Sequence, residues 1–168
     1  MNAHDLAIIA LGSNIGDSQS ILVGAMDRLE AISSRPLVKS SFWQTTPVDC
    51  PPGSPMFLNA VVGLVPLPAE TAELLLAKLF QIEKDFGRKP RNIPNEPRRL
   101  DLDLITYGSE TRTTEWLTLP HRRAHERRFV LQPLSEIAPH LILPGQPKTV
   151  VELLAALGAG ETLVRLSP

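Results

Sequence analysis

Cysteine is almost missing from this chain of 168 residues: Cys50 is the one copy, set in the proline-rich stretch "DCPPGSP". No intramolecular disulfide can form, which excludes a disulfide-stapled secreted framework and fits a reducing, cytoplasmic setting. Long apolar runs are missing too. The stretch "LAIIAL" spans six residues, and no basic residue precedes it between Met1 and Asp5. Neither a signal peptide nor a membrane span is expected. An excess of one charge is also absent, with 17 Lys+Arg against 18 Asp+Glu, so general attraction to nucleic acid is not expected. Aromatic residues make up only 5% of the chain, and no strand follows the RNA-binding pattern K/R-G-F/Y-G/A-F-V-x-F/Y, which weighs against a single-strand RNA reader. Neither G-x-x-x-x-G-K-[ST] nor G-x-G-x-x-G occurs, so a bound nucleotide would have to be held by side chains.

What is present suits one domain over residues 1–168, a length that buries roughly 70% of the unfolded surface. Residues 6–11 read as a buried strand ending at "GSNIGD", a strand-to-helix turn. The apolar spacing of Ile21, Leu22, Ala25, Met26, Leu29 and Ile32 then predicts a helix capped by Asp17 or Ser18. "PLVKSSFWQTTPV" reads as a second strand and "MFLNAVVGLV" as a third. Pro68 to Phe86 returns to helical spacing, with Gly87 as its stop, and 100–107 is a fourth strand. "FVLQPLSEIAP" and "TVVELLAAL" predict short C-terminal helices. The order strand, helix, strand, strand, helix, strand is the ferredoxin-like βαββαβ arrangement of the α+β class. Helices lie on one face of an antiparallel sheet, and the other face is left for binding.

The fourth strand, within "PRRLDLDLITYG", poses the chemical question. Leu100, Leu102 and Leu104 share one face, while Asp101 and Asp103 share the other. Two ionised carboxylates about 7 Å apart repel by about 2.4 kcal/mol at an effective dielectric of 20. A divalent cation or arginines would offset that cost, and hard oxygen ligands on an open face suit magnesium. The alternative is a solvated face paired with Arg98 and Arg99. Charge placement bears on the choice. Arg88, Lys89, Arg91, Arg98 and Arg99 lie between 88 and 99, and Arg122, Arg123, Arg127 and Arg128 between 122 and 128. Arginine forks clamp phosphate oxygens, and phosphoryl transfer needs positioning and charge neutralisation. Ordinary solvated charges are the competing reading. Phe57 and Asn59 fall on one strand face, where a ring and an amide could stack and read a flat heterocycle, with Phe129 as a second ring. Packing roles for all three are the alternative.

"LGSNIGD", "TTPV" with "FLNAVVGL", "GR" with "PRRLDLDLI", and "LTLPHRRAHERRFVLQPLSEIAP" together resemble the hydroxymethyl-dihydropterin pyrophosphokinase family of the folate pathway, in order from about Ile8 to Pro139. The resemblance implies the ferredoxin-like core and a magnesium-dependent transfer of pyrophosphate from ATP to the pterin hydroxymethyl group, with release of AMP. It implies two magnesium ions on Asp101 and Asp103, and pterin between Phe57 and Phe129, read by Asn59, Thr46, Pro47 and Val48. It implies phosphate contacts from Arg88, Arg98, His121 and Arg127, with Thr118 and Glu83 at the nucleotide. Arg88, Arg98, Asp101 and Asp103 would form the catalytic set, in a monomer that binds neither nucleic acid nor membrane. Well-known members carry an aromatic residue where this chain has "NIPNEP", and some carry a basic residue at the position of Trp116.

Overall fold

A computed structural model describes residues 2–46, 51–88, 97–158 and 160–166. Pro47, Val48, Cys50 and the segment 89–96 lie outside the described residues. The chain runs β1 (Ala7–Ser13), α1 (Ser18–Ala31), β2 (Val38–Lys39), β3 (Trp43–Thr45), β4 (Phe57–Leu64), α2 (Ala72–Asp85) and β5 (Asp101–Tyr107). Then follow β6 (Arg112–Thr113), β7 (Thr118–Leu119), α3 (Arg128–Ile137), α4 (Val150–Ala156) and β8 (Leu163–Arg165). The main sheet has the order β5-β1-β4-β3-β8, with β2 also paired to β4, and every pairing is antiparallel. This is the expected ferredoxin-like α+β core.

Local chemistry sets the element ends. The Asp17 side chain accepts from Ser20 N at 3.2 Å and starts α1, and Thr71 does the same for α2 through Leu74 N, also at 3.2 Å. The second helix therefore begins at Ala72, four residues later than Pro68, with Pro68 left in the approach to it. Its other end is a Schellman turn: Gly87 N bonds Lys84 O at 3.0 Å and Arg88 N bonds Glu83 O at 3.1 Å. Gly87 takes φ of +90°, a conformation that a side chain would disfavour. The turn leaves Arg88 facing back towards Glu83.

The stretch predicted as one strand at 36–48 is instead two short strands. Between them Ser40 Oγ, not a backbone carbonyl, accepts from Val61 N at 2.9 Å, and Ser41 turns to Glu136 of α3. Ser40 N still donates to Val61 O at 3.0 Å, so the hydroxyl replaces one bond of the ladder and interrupts the strand. The small β6-β7 sheet and the β8 edge strand add to what periodicity predicts. β6, β7 and β8 are two to three residues long, below the length at which alternation can be read.

One sheet face, carrying Ile9, Leu11, Leu58, Ala60, Val62, Leu102 and Leu104, is covered by α1 and α2 through Leu22, Leu29, Leu75 and Leu79. The second face divides along its length. Ile8, Val61 and Ile105 are covered by Val130, Leu131 and Leu134 of α3, with α4 packed behind. A register shift between Ile8 and Ile9 makes Ile105 an extra residue, keeping an apolar side chain on that face. The rest of the second face, at the Gly12 end of β1, is left for the cavity described below.

Leu131 is fully buried beneath the site-bearing end of α3. Leu131→Ala is expected to lower unfolding free energy by roughly 2–4 kcal/mol in a urea titration. Val23→Ala, on the exposed face of α1, should stay within about 0.5 kcal/mol. Equal midpoints for the two variants would contradict this second core.

Candidate active site

Strand pairing assembles the floor. Gly12 pairs with Asn59 on one side and Asp101 on the other, and Ala10 pairs with Val61 and Asp103. Directly paired residues share a face, so Phe57, Asn59, Gly12, Ala10, Asp101 and Asp103 form one surface. Small residues on the central strand keep it concave. A Cβ at Gly12 would lie 3.2 Å from Asn59 Oδ1, so even alanine would crowd the floor.

Over this floor lies a cavity lined by Thr46, Phe57, Asn59, Arg98, Asp101, Asp103, Arg127 and Phe129, together with Arg123, Glu126 and Glu161. An adjoining groove is lined by Leu76, Phe80, Trp116, Thr118, His121 and Arg122, and it shares Asp103 and Arg123 with the first. Eight sequence-predicted residues thus meet in one cavity, and Thr118 and His121 in its neighbour. Arg88 and Glu83 line neither. They stand behind Asp101.

The aromatic end is held firmly. Asn59 is buried and donates its amide to Thr45 Oγ1 at 2.8 Å, which leaves its oxygen towards Gly12. The Arg98 guanidinium lies 5.9 Å from the Phe57 ring centre, and that of Arg127 5.5 Å from Phe129. Each ring therefore has a cation beside it.

The acidic end is a charge network. Asp101 Oδ1 accepts from Arg88 Nη1 at 2.8 Å and pairs with Arg98 Nη1 at 3.4 Å. Arg88 Nη1 also donates to Glu83 Oε2, which accepts from Leu102 N at 2.9 Å. β5 is an edge strand, so the Leu102 N–H has no strand beyond it, and a buried carboxylate takes that role. Burial pushes the Glu83 carboxyl up to about 7, against the pull of the Leu102 N–H and Arg88. Asp103 is pushed up to about 6 by burial and then by Asp101, and Arg127, Arg98 and Arg88 oppose the rise. His121 is lowered by burial and by Arg127, and its Nδ1 accepts from Arg123 N at 3.3 Å. It is a neutral imidazole with Nε2–H as donor.

Asn14, read from sequence as part of a plain turn, fixes Arg98. Asn14 N donates to Arg98 O at 3.1 Å, and Asn14 Oδ1 accepts from Arg98 N at 2.8 Å. The signal was in "GSNIGD", but its partner is 84 residues away. Glu161 and Arg123 were also missed. Arg123 lay in a basic cluster already noted, whereas Glu161 carried no signal because β8 was not expected.

The residues fit a divalent cation bound with an anionic ligand. Among the described residues no group of three or more His, Cys, Asp or Glu is arranged to hold a metal, so Asp101 and Asp103 would leave most of a coordination shell to water and substrate oxygens. Arg98 Nε is buried with no hydrogen-bond partner, a donor suited to an anion.

Known proteins resemble this chain in sequence and in fold. The family model for 7,8-dihydro-6-hydroxymethylpterin-pyrophosphokinase matches residues 8–139. The chain is 40% identical over 151 residues to the 2-amino-4-hydroxy-6-hydroxymethyldihydropteridine pyrophosphokinase of Methylorubrum extorquens, covering 90% of this chain and 92% of that one. It is 37% identical over 164 residues to the protein of that name from Haemophilus influenzae, covering 96% and 98%. Among solved structures, a Plasmodium falciparum HPPK-DHPS chain superposes with a TM-score of 0.72 at 13% identity, over 90% of this chain and 45% of that one. That likeness is one of fold, and this chain spans less than half of the longer protein. By sequence and by fold, the chain belongs to the 7,8-dihydro-6-hydroxymethylpterin-pyrophosphokinase family.

Proposed function

We propose that this chain transfers the terminal pyrophosphoryl group of ATP to the hydroxymethyl group of 6-hydroxymethyl-7,8-dihydropterin and releases AMP. The observation that carries this reading is the single cavity in which Asp101 and Asp103 meet the Phe57 and Phe129 rings, Asn59, Arg98 and Arg127. A flat heterocycle would lie against the Phe57 and Phe129 rings, and its hydroxymethyl arm would reach the carboxylates. The adjoining groove, with His121 and Thr118, would take the rest of the nucleotide.

A bond forms between the substrate hydroxyl oxygen and the β-phosphorus. The bond from that phosphorus to the α–β bridging oxygen breaks, the oxygen leaves on AMP, and the hydroxyl proton passes to solvent. The protein's part is positioning and charge neutralisation. Arg98 and Arg127 stack beside the rings and direct their remaining donors to phosphate oxygens. His121 adds a neutral N–H. Asp101 and Asp103 are the groups that would hold two magnesium ions, whose chemistry there is to draw off phosphate charge. Glu83 and Arg88 set the position of Asp101, and Arg88 keeps its positive charge beside the carboxylate that would hold the cation.

Incubation with ATP, magnesium and the hydroxymethyl pterin should yield AMP only when all three are present. ADP would indicate a one-phosphate kinase, and no turnover would contradict the proposed reaction. Asp103→Ala should lower turnover at least about a thousandfold while the circular dichroism spectrum stays unchanged, since the side chain leaves the sheet on the cavity side. Wild-type turnover would remove Asp103 from the metal site.

The raised carboxyl also gives a pH dependence. At about 6 in the fold against an ordinary 3.8, Asp103 favours folding while protonated. Its contribution is fully present below about pH 4 and is lost as pH rises through about 6. In metal-free buffer Asp103→Asn should match the wild type near pH 4 and be more stable at pH 8 by roughly 3 kcal/mol, read by thermal unfolding. An advantage that is the same at both pH values would contradict the shifted carboxyl.

A further inference from the structure

The β8 strand brings to the cavity a charged side chain that the chemistry above does not use. β8 pairs with β3 so that Trp43 faces Arg165 and Thr45 faces Leu163. Trp43 and Thr45 in turn pair with Asn59 and Phe57, so these residues share the site face of the sheet. The antiparallel pairing with Thr45 carries the residues before Leu163 towards Thr46. Glu161 arrives there and lines the cavity with Thr46, Asn59 and Phe129.

Two features mark this carboxylate as unfinished business in the free protein. Its Oε2 is buried and has no hydrogen-bond partner. Burial pushes the carboxyl up, against the Arg128 backbone N–H and the Arg128 and Arg127 guanidiniums. A buried acceptor without a donor costs more than a made hydrogen bond returns, so one that faces a cavity is matched by a ligand that supplies the donor. The neighbouring wall has the same character. Asn59 has committed an amide N–H to Thr45 and turns its oxygen to the floor. Beside the Arg127 guanidinium the cavity thus presents two acceptors, the Glu161 carboxylate and the Asn59 oxygen, and these suit a ring edge rich in N–H groups.

A 2-amino-4-oxopyrimidine ring carries such an edge, with the amino group and the adjacent ring N–H side by side in one plane. Two parallel N–H donors and a carboxylate make the bidentate match seen between arginine and carboxylate. We propose that Glu161 is a specificity residue for the heterocycle, accepting from the amino and ring N–H of the pterin's pyrimidine edge. The inference rests on the substrate assigned under the proposed function.

The test measures pterin binding by fluorescence together with steady-state rates, for wild type and Glu161→Gln, with hydroxymethyl-dihydropterin and with an analogue lacking the 2-amino group. Glu161→Gln is expected to raise the pterin Kd and KM about tenfold or more, to leave the KM for ATP unchanged, and to alter kcat much less than KM. The wild type should bind the deaminated analogue more weakly by a similar factor, and the variant should discriminate between the two pterins far less. An unchanged pterin Kd in the variant overturns the proposal. So does a rise confined to the KM for ATP, which would assign Glu161 to balancing Arg127 and Arg128. The two pterins on the wild-type protein need no variant, and equal affinity for them also overturns it. A wild type that binds pterin but makes no AMP contradicts the reaction, and Glu161 is then judged on Kd alone.

Discussion

Two carboxylates at alternate positions of one strand repel each other, and much of the surrounding structure compensates for that repulsion. Asp101 is held by Arg88 and Arg98 on one side, while Asp103 is buried deeply enough to sit well above the ordinary carboxylate range. The strand cannot relieve the strain by turning over. Rotating the aspartates away would bring Leu100, Leu102 and Leu104 out of the core beneath α1 and α2. Hydrophobic burial on one face therefore fixes an unfavourable charge pair on the other, and a bound cation is the natural relief.

The arginines that moderate the pair are placed by backbone devices and not by chance proximity. The Schellman turn at Gly87 sets Arg88 against Glu83, whose carboxylate also closes the open edge of β5 at Leu102. Asn14 grips the Arg98 backbone from the far end of β1. Arg127 and Phe129 are carried by the start of α3, which is anchored through Val130, Leu131 and Leu134 on the second core. Each group that would meet phosphate is thus tied to an element with its own reason to be rigid, as positioning chemistry requires.

Much of this was legible in the sequence because it follows from period. Alternation separated Leu102 and Leu104 from Asp101 and Asp103, put Phe57 beside Asn59, and identified Gly87 as a helix stop. What was not legible depends on contacts between distant segments. The second face was expected to lie open, yet α3 covers half of it, and nothing in "FVLQPLSEIAP" says which sheet face its apolar stripe will meet. Ser40 looks like any strand residue until its hydroxyl takes a ladder bond from Val61. Glu161 precedes a strand too short to show alternation, and only the pairing of Leu163 with Thr45 brings it to the cavity. Pro47 and Val48 were assigned to the heterocycle by resemblance and lie outside the described residues.

The central claim is that the pair Asp101 and Asp103 is a cation site held under charge strain until metal and nucleotide arrive. The most direct measurement is the proton count on binding of magnesium with a non-hydrolysable ATP analogue, from calorimetry in buffers of different ionisation enthalpy. With Asp103 at about 6, binding at pH 6 should release protons, about half of one from this carboxyl, with the release fading by pH 8 and strongly reduced in Asp103→Asn. Proton release that is the same in wild type and variant would contradict the account.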